Sequence, residues 1–141
     1  ADHVIDHSKP MVEQLERIGK PVKYIASLTN TGDYLDQFAA LIAPQGKIVV
    51  IDDPAAIDIM PFKRKSVSWH WELMFTRSLY QTPDQIRQHQ ILTHLSHMVD
   101  EGLLRSTLHS HLGVINAANL MRAHRLIESR TTVGKIVLEG F

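Results

Sequence analysis

The chain has 141 residues, 44% hydrophobic and 21% charged, and its fifteen Lys and Arg balance fifteen Asp and Glu. That is the size and composition of one globular domain with a sizeable core, which excludes disordered, collagen-like and low-complexity classes, while the even charge argues against a general nucleic-acid or membrane-surface binder. There is no cysteine, so disulfides, thiolate metal sites and cysteine nucleophiles are excluded together, and any metal would have to use His, Asp or Glu.

No apolar run approaches the ~20 residues of a spanning helix and no basic-then-apolar leader opens the chain, so the expected location is the cytosol. The chain starts at Ala1 and reaches the apolar pair Val4-Ile5 almost at once, which suggests that an N-terminal part precedes it. Ser8-Lys9-Pro10 then opens a helix over about 9 to 19, with Met11, Leu15 and Ile18 at helical spacing and Gly19 and Pro21 as its stop. Val22 to Leu28 reads as a strand that ends in the turn Thr29-Asn30-Thr31-Gly32-Asp33. A helix follows, with Tyr34, Leu35, Phe38, Leu41 and Ile42 on one stripe, broken at Pro44-Gln45-Gly46. Ile48-Val49-Val50-Ile51 is apolar at consecutive positions, the mark of a parallel strand covered on both faces, and Asp52-Asp53-Pro54 ends it. Two strand–helix units in succession imply right-handed crossovers, with ligands outside the carboxyl ends of the strands at Thr29-Asn30-Thr31 and Asp52-Asp53-Pro54.

Beyond the basic run Lys63-Arg64-Lys65, read as a solvated loop, Val67, Trp69, Trp71, Leu73 and Phe75 alternate with polar residues and predict a long strand from about Ser66 to Thr76. Thr82-Pro83-Asp84-Gln85 matches a capping box for a helix running to Gly102, with Ile86, Leu92, Leu95 and Val99 inward. Thr107 to Leu112 is expected to be extended. Asn116 caps a last helix to about Ser129, with an inward stripe of Ala117, Leu120, Met121, His124 and Ile127, and Lys135 to Glu139 closes the chain as a strand.

Nine histidines invite a metal reading. His94 with His97, and His109 with His111, have suitable pair spacings, but neither pair brings a third ligand, and His94 and His97 read as a solvated helix face. His124 reads as a hydrogen-bonded interior histidine. Asp52 and Asp53 are adjacent in an extended segment and face opposite sides, which prevents a shared-proton dyad. No glycine-rich phosphate loop is present, so by itself the chain lacks a phosphate grip.

Five stretches taken in order, Ala1-Asp2-His3-Val4-Ile5-Asp6, Gly46-Lys47-Ile48-Val49-Val50, Trp71-Glu72-Leu73-Met74-Phe75-Thr76-Arg77, Ala123 to Arg130 and Gly134-Lys135-Ile136-Val137-Leu138, resemble the medium-chain dehydrogenase/reductase superfamily. The similar branch is that of zinc-type alcohol dehydrogenase-like proteins and quinone oxidoreductases. The resemblance implies an α/β fold, a partial Rossmann-type parallel sheet with helices on both faces. It corresponds to the later part of a nucleotide-binding domain, without the first βαβ unit and the catalytic domain. It also implies an NADP(H)-dependent oxidoreductase moving hydride between nicotinamide and a carbonyl, enone or quinone substrate, with no metal expected in this chain and with the isolated chain inactive. Thr29 and Asn30 would then face the adenosine half of the cofactor, Ile51 and Asp52 the nicotinamide ribose, Phe75, Thr76 and Arg77 the nicotinamide end, and Arg130 a cofactor phosphate. A homodimer through the strand at 66–76 is implied as well. The rival reading is a stand-alone α/β nucleotide-binding or interaction module without catalysis.

Overall fold

The computed structural model describes residues 1–140 and resolves two compact units, Ala1–Thr82 and a second that begins at Pro83. In the first unit α1 (Met11–Glu16), β1 (Val22–Ser27), α2 (Thr31–Leu41), β2 (Ile42–Val50), α3 (Met60–Lys63), β3 (Ser68–Trp71) and α4 (Thr76–Leu79) follow one another. The three strands form one parallel sheet in the order β1-β2-β3, which sets Ile25 beside Ile48, Ser27 beside Val50, and Val50 beside Trp71. Their carboxyl ends therefore share one edge, as successive right-handed crossovers require.

The core lies on one face of this sheet. Ile48 and Val50, two residues apart and so on one side of β2, are fully buried with Ile42, and Phe38 and Phe62 are buried beside them. Ile25, Leu35, Val67 and Trp69 pack around them, and Phe62 meets Trp69 edge to face at 5.5 Å. The other face carries Lys47 and His70, exposed, and Val49, half-buried. Ile51, expected inside the strand, lies just beyond β2 and is 49% exposed.

Helix α1 stops early because the chain turns through Ile18 and Gly19, whose amides donate to Leu15 O and Glu16 O; Gly19 takes φ +69, where glycine is free of the Cβ penalty. At the end of α2, Lys65 corrects the solvated-loop reading. Its Nζ donates to Ala39 O at 2.7 Å, Ala40 O at 3.0 Å and Ile42 O at 2.8 Å, so an ammonium satisfies carbonyls left without partners at the helix C-terminus.

The long strand from Ser66 to Thr76 is also corrected. β3 ends at Trp71 because β2, its only partner among the described residues, ends at Val50; Glu72 N–H makes the last ladder bond to Val50 O at 2.9 Å. With no backbone to pair, the chain turns, Thr76 N–H donates to Leu73 O, and Leu73 and Phe75 stand half-exposed in the turn.

The second unit contains α5 (Arg87–Asp100), β4 (Leu108–Val114), α6 (Ala117–Glu128) and β5 (Lys135–Glu139). β4 and β5 pair in parallel, and α6 packs against β4. Asn116 caps α6 as expected, its Oδ1 accepting from Asn119 N–H at 2.8 Å. The capping box at Thr82–Gln85 does not cap α5, which begins only at Arg87. Ile86, Leu92, Leu95 and Val99, expected inward, are exposed, and so are Leu120, Met121, Ile127 and His124, which corrects the interior reading of that histidine. Among the described residues of this unit none is buried. The class is α/β, with parallel sheets flanked by helices.

Candidate functional site

The carboxyl edge of the three-stranded sheet carries a buried polar cluster. From the end of β1 the chain passes through Leu28 and Thr29 to Asn30, which adopts the left-handed conformation (φ +52) that asparagine tolerates better than most residues, and this turn sets Thr31 as the first residue of α2. Asp52 reaches Thr31 from the end of β2. Its Oδ2 accepts the Thr31 amide at 2.8 Å and its Oδ1 accepts the Thr31 hydroxyl. Thr31 Oγ1 in turn meets Ser27 Oγ at 2.6 Å. Because the Thr31 hydroxyl gives its only proton to the carboxylate, Ser27 must be the donor in that last contact. The result is a one-directional chain, Ser27 to Thr31 to Asp52. Ser27 and Thr31 are buried and both hydroxyls have partners, as burial demands. The hydroxyl bond first, and the amide bond second, hold the Asp52 carboxyl below the usual carboxylate range.

The sequence places Thr31 at the carboxyl end of its strand without its link to Asp52, and does not single out Ser27. The available signal was a pair of hydroxyls four apart across a strand end, in a segment otherwise largely apolar.

Beside this edge a groove of about 470 Å³ runs along β1, lined by Met11, Leu15, Tyr24, Ile25, Phe38 and Leu41 on its apolar side and by Ser27, Thr29, Asn30, Tyr34 and His7 toward the strand's carboxyl end. Tyr34 OH and His7 Nδ1 are 3.4 Å apart across it. Thr29 and Asn30 are exposed there, so a hydroxyl and an amide are available at the mouth of an apolar slot.

The structure thus brings Thr29, Asn30, Ile51 and Asp52 to one place, since Ile51 N–H bonds Ser27 O and Asp52 bonds Thr31. Phe75, Thr76 and Arg77 follow the carboxyl end of β3 on the same edge, with Phe75 as the residue before α4. Arg130 belongs to the second unit. It is exposed, just after α6, with φ +56 and its amide donating to Ile127 O at 3.1 Å.

His94 and His97 are exposed on α5, in keeping with a solvated face. His111 Nδ1 accepts from Gly113 N–H, and its Nε2 lies 3.4 Å from Glu139, linking β4 to β5. Among the described residues no three His, Asp or Glu side chains converge as metal ligands, so the donor sets of this chain do not fit a zinc ion. None of the described helices is long and apolar enough to cross a membrane.

Comparison with known proteins agrees with this architecture. The family of zinc-binding dehydrogenases matches residues 1–138. A zinc-type alcohol dehydrogenase-like protein of Staphylococcus aureus (strain COL) is 32% identical over 142 residues, covering 98% of this chain and 41% of its own length. A crystal structure described as a zinc-dependent alcohol dehydrogenase protein from Rhizobium etli CFN 42 is 52% identical with TM-score 0.90, over 100% of this chain and 42% of that one. The crystal structure of an NAD-dependent alcohol dehydrogenase shares the fold, at 23% identity and TM-score 0.68 over 100% of this chain and 38% of its own. The chain spans about two fifths of the length of these relatives. It belongs to the zinc-binding dehydrogenase family, in the zinc-type alcohol dehydrogenase-like branch of the medium-chain dehydrogenase/reductase superfamily.

Proposed function

We propose that this chain is the later part of the nucleotide-binding domain of a longer, cytosolic NADP(H)-dependent oxidoreductase that moves hydride between nicotinamide and a carbonyl, enone or quinone substrate. The observation that carries the reading is the shared carboxyl edge of three parallel strands, because ligands of open α/β sheets bind outside that edge. The nicotinamide supplies the hydride chemistry, and the residues of the chain bind and orient it. Thr29 and Asn30 offer a hydroxyl and an amide to the adenosine half. Ile51 and Asp52 stand on the side of the nicotinamide ribose, and Phe75, Thr76 and Arg77 on that of the nicotinamide ring. Arg130 supplies a planar guanidinium suited to a cofactor phosphate. The reading includes a homodimer through β3, an outer strand of its sheet, whose free edge offers backbone groups to a second copy.

Titration calorimetry of the longer protein with NADPH and NADH tests the proposal. NADPH is expected to bind, and Arg130→Ala to weaken it by about 1.5–3 kcal/mol, the scale of a charge-assisted hydrogen bond. The 141-residue chain alone should bind weakly or not at all, for want of a glycine-rich turn to hold the pyrophosphate. A longer protein that binds neither nucleotide would overturn the reading in favour of a non-catalytic module. Light scattering on the wild type tests the dimer, which a wild-type monomer at micromolar concentration would exclude.

A further inference from the structure

We propose that Asp52 is a positioning residue, which acts on the cofactor site through Thr31 and Ser27 by fixing the turn between β1 and α2. The inference rests on the nicotinamide reading above and deepens it. Both Asp52 oxygens are committed to one residue of another element: Oδ2 to the Thr31 amide and Oδ1 to the Thr31 hydroxyl. Thr31 is fully buried, so its amide and hydroxyl are costly to leave without a partner. They lie 21 residues apart in sequence and close the gap between the ends of β1 and β2, the interval beside which a nucleotide would lie.

The carboxylate also takes an amide at the N-terminus of α2, a position that would otherwise attract an anion, and so satisfies that end of the helix from within the protein. What the edge then presents outward is Thr29 and Asn30. Asn30 is held at φ +52 between Ser27 and Thr31, the two residues that the hydrogen-bond chain ties together. Loosening any member of the chain frees the turn, and the exposed hydroxyl and amide lose their fixed directions. The direction of proton donation, Ser27 to Thr31 to Asp52, makes the two hydroxyl bonds mutually reinforcing.

A double-mutant cycle on the longer protein separates positioning from contact. In a positioning role Thr31→Ala and Asp52→Ala each weaken nicotinamide nucleotide binding by about tenfold. The double variant is then no weaker than the worse single one, and Thr31→Ser, which keeps the hydroxyl and the amide, binds like the wild type. Losses that multiply in the double variant, or a Thr31→Ser as weak as Thr31→Ala, overturn the proposal in favour of direct contact by Asp52 or of a packing role for the Thr31 methyl. Hydrogen exchange on the same proteins gives a second arm that does not depend on the nucleotide. In Asp52→Ala, or in the milder Asp52→Asn, the Thr31 amide should lose protection while that of Ile48 keeps it, and unchanged protection at Thr31 overturns the clamp. A wild-type protein that binds no nicotinamide nucleotide overturns the cofactor reading, and the exchange arm then decides the clamp alone.

Discussion

The two units of this chain use the same materials, parallel strands and helices with apolar residues at helical spacing, with different results. In the first, Phe38, Ile42, Ile48, Val50 and Phe62 close into a core, and the polar chain Ser27–Thr31–Asp52 is anchored against it. In the second, α5 and α6 hold their apolar residues in the expected periodicity, yet Leu92 is 66% exposed and Ile127 57%. An apolar stripe identifies the face a helix will bury if a partner is supplied, and says nothing of whether the same stretch of chain supplies it. Polar order follows the core: the hydrogen bonds that shape the carboxyl edge can be rigid because Ile48 and Val50 hold the strands that carry them.

The difference can be broken or sharpened by substitution in the 141-residue chain. The largest effect is expected from Ile48→Ala, which deletes buried methyl and methylene groups and should cost about 2–5 kcal/mol, while Leu92→Ala stays within about 0.5 kcal/mol. Urea unfolding measures both, and equal losses would abolish the contrast. Gly134→Ala comes next and acts in the second unit. The glycine sits at φ +75, and a Cβ there would fall 2.6 Å from Thr107 O, at the point where Lys135 N–H bonds that same carbonyl at 2.7 Å. A loss of about 1–3 kcal/mol is expected, read as faster exchange of β4 and β5 amides with those of β1 and β2 unchanged.

Lys65→Met leaves carbonyls at the end of α2 without their ammonium donor and should cost about 1–2 kcal/mol in the first unit, again by urea unfolding. The smallest effect is a matter of pH. Bonds from Thr31 depress the Asp52 carboxyl in the folded state, so the unfolded chain binds the proton more readily. The stability this contributes is present above the ordinary carboxylate value of about 4 and is lost as pH falls through the lowered folded value. The advantage of the wild type over Asp52→Asn should therefore shrink on acidification. The variant is needed as the reference because Asp6, held down to about 2 by bonds from Ser8, titrates in the same acid range.

What could be read from the sequence was local. The β2 run at Ile48, the Asn116 cap and the carboxyl ends at Thr29-Asn30 and Asp52 each depend on a few neighbouring residues, and each stands where expected. The alternation through Leu73 and Phe75 misled because alternation records which side chains would share a face, and a strand also needs backbone to pair with, which ends at Val50. Thr31 with Asp52, and Lys65 with Ala39, are separated by 21 and 26 residues. Such bonds leave no periodic mark, so the heart of the candidate site could not be found until the strands were side by side.

The placement of Trp69 and Trp71, the only tryptophans of the chain, gives the molecule a built-in optical partition. Both lie on β3, 5.9 Å apart between ring centres, with Trp69 against Phe62 at the rim of the core. Tryptophan emission therefore reports the melting of the first unit, whereas far-ultraviolet dichroism draws on the helices of both, α5 and α6 of the second as well as α2 of the first. Recorded together during one denaturation, the two signals separate the core-bearing unit from its neighbour with no label and no substitution, and the interval between their midpoints is a direct reading of how independently the two halves hold together.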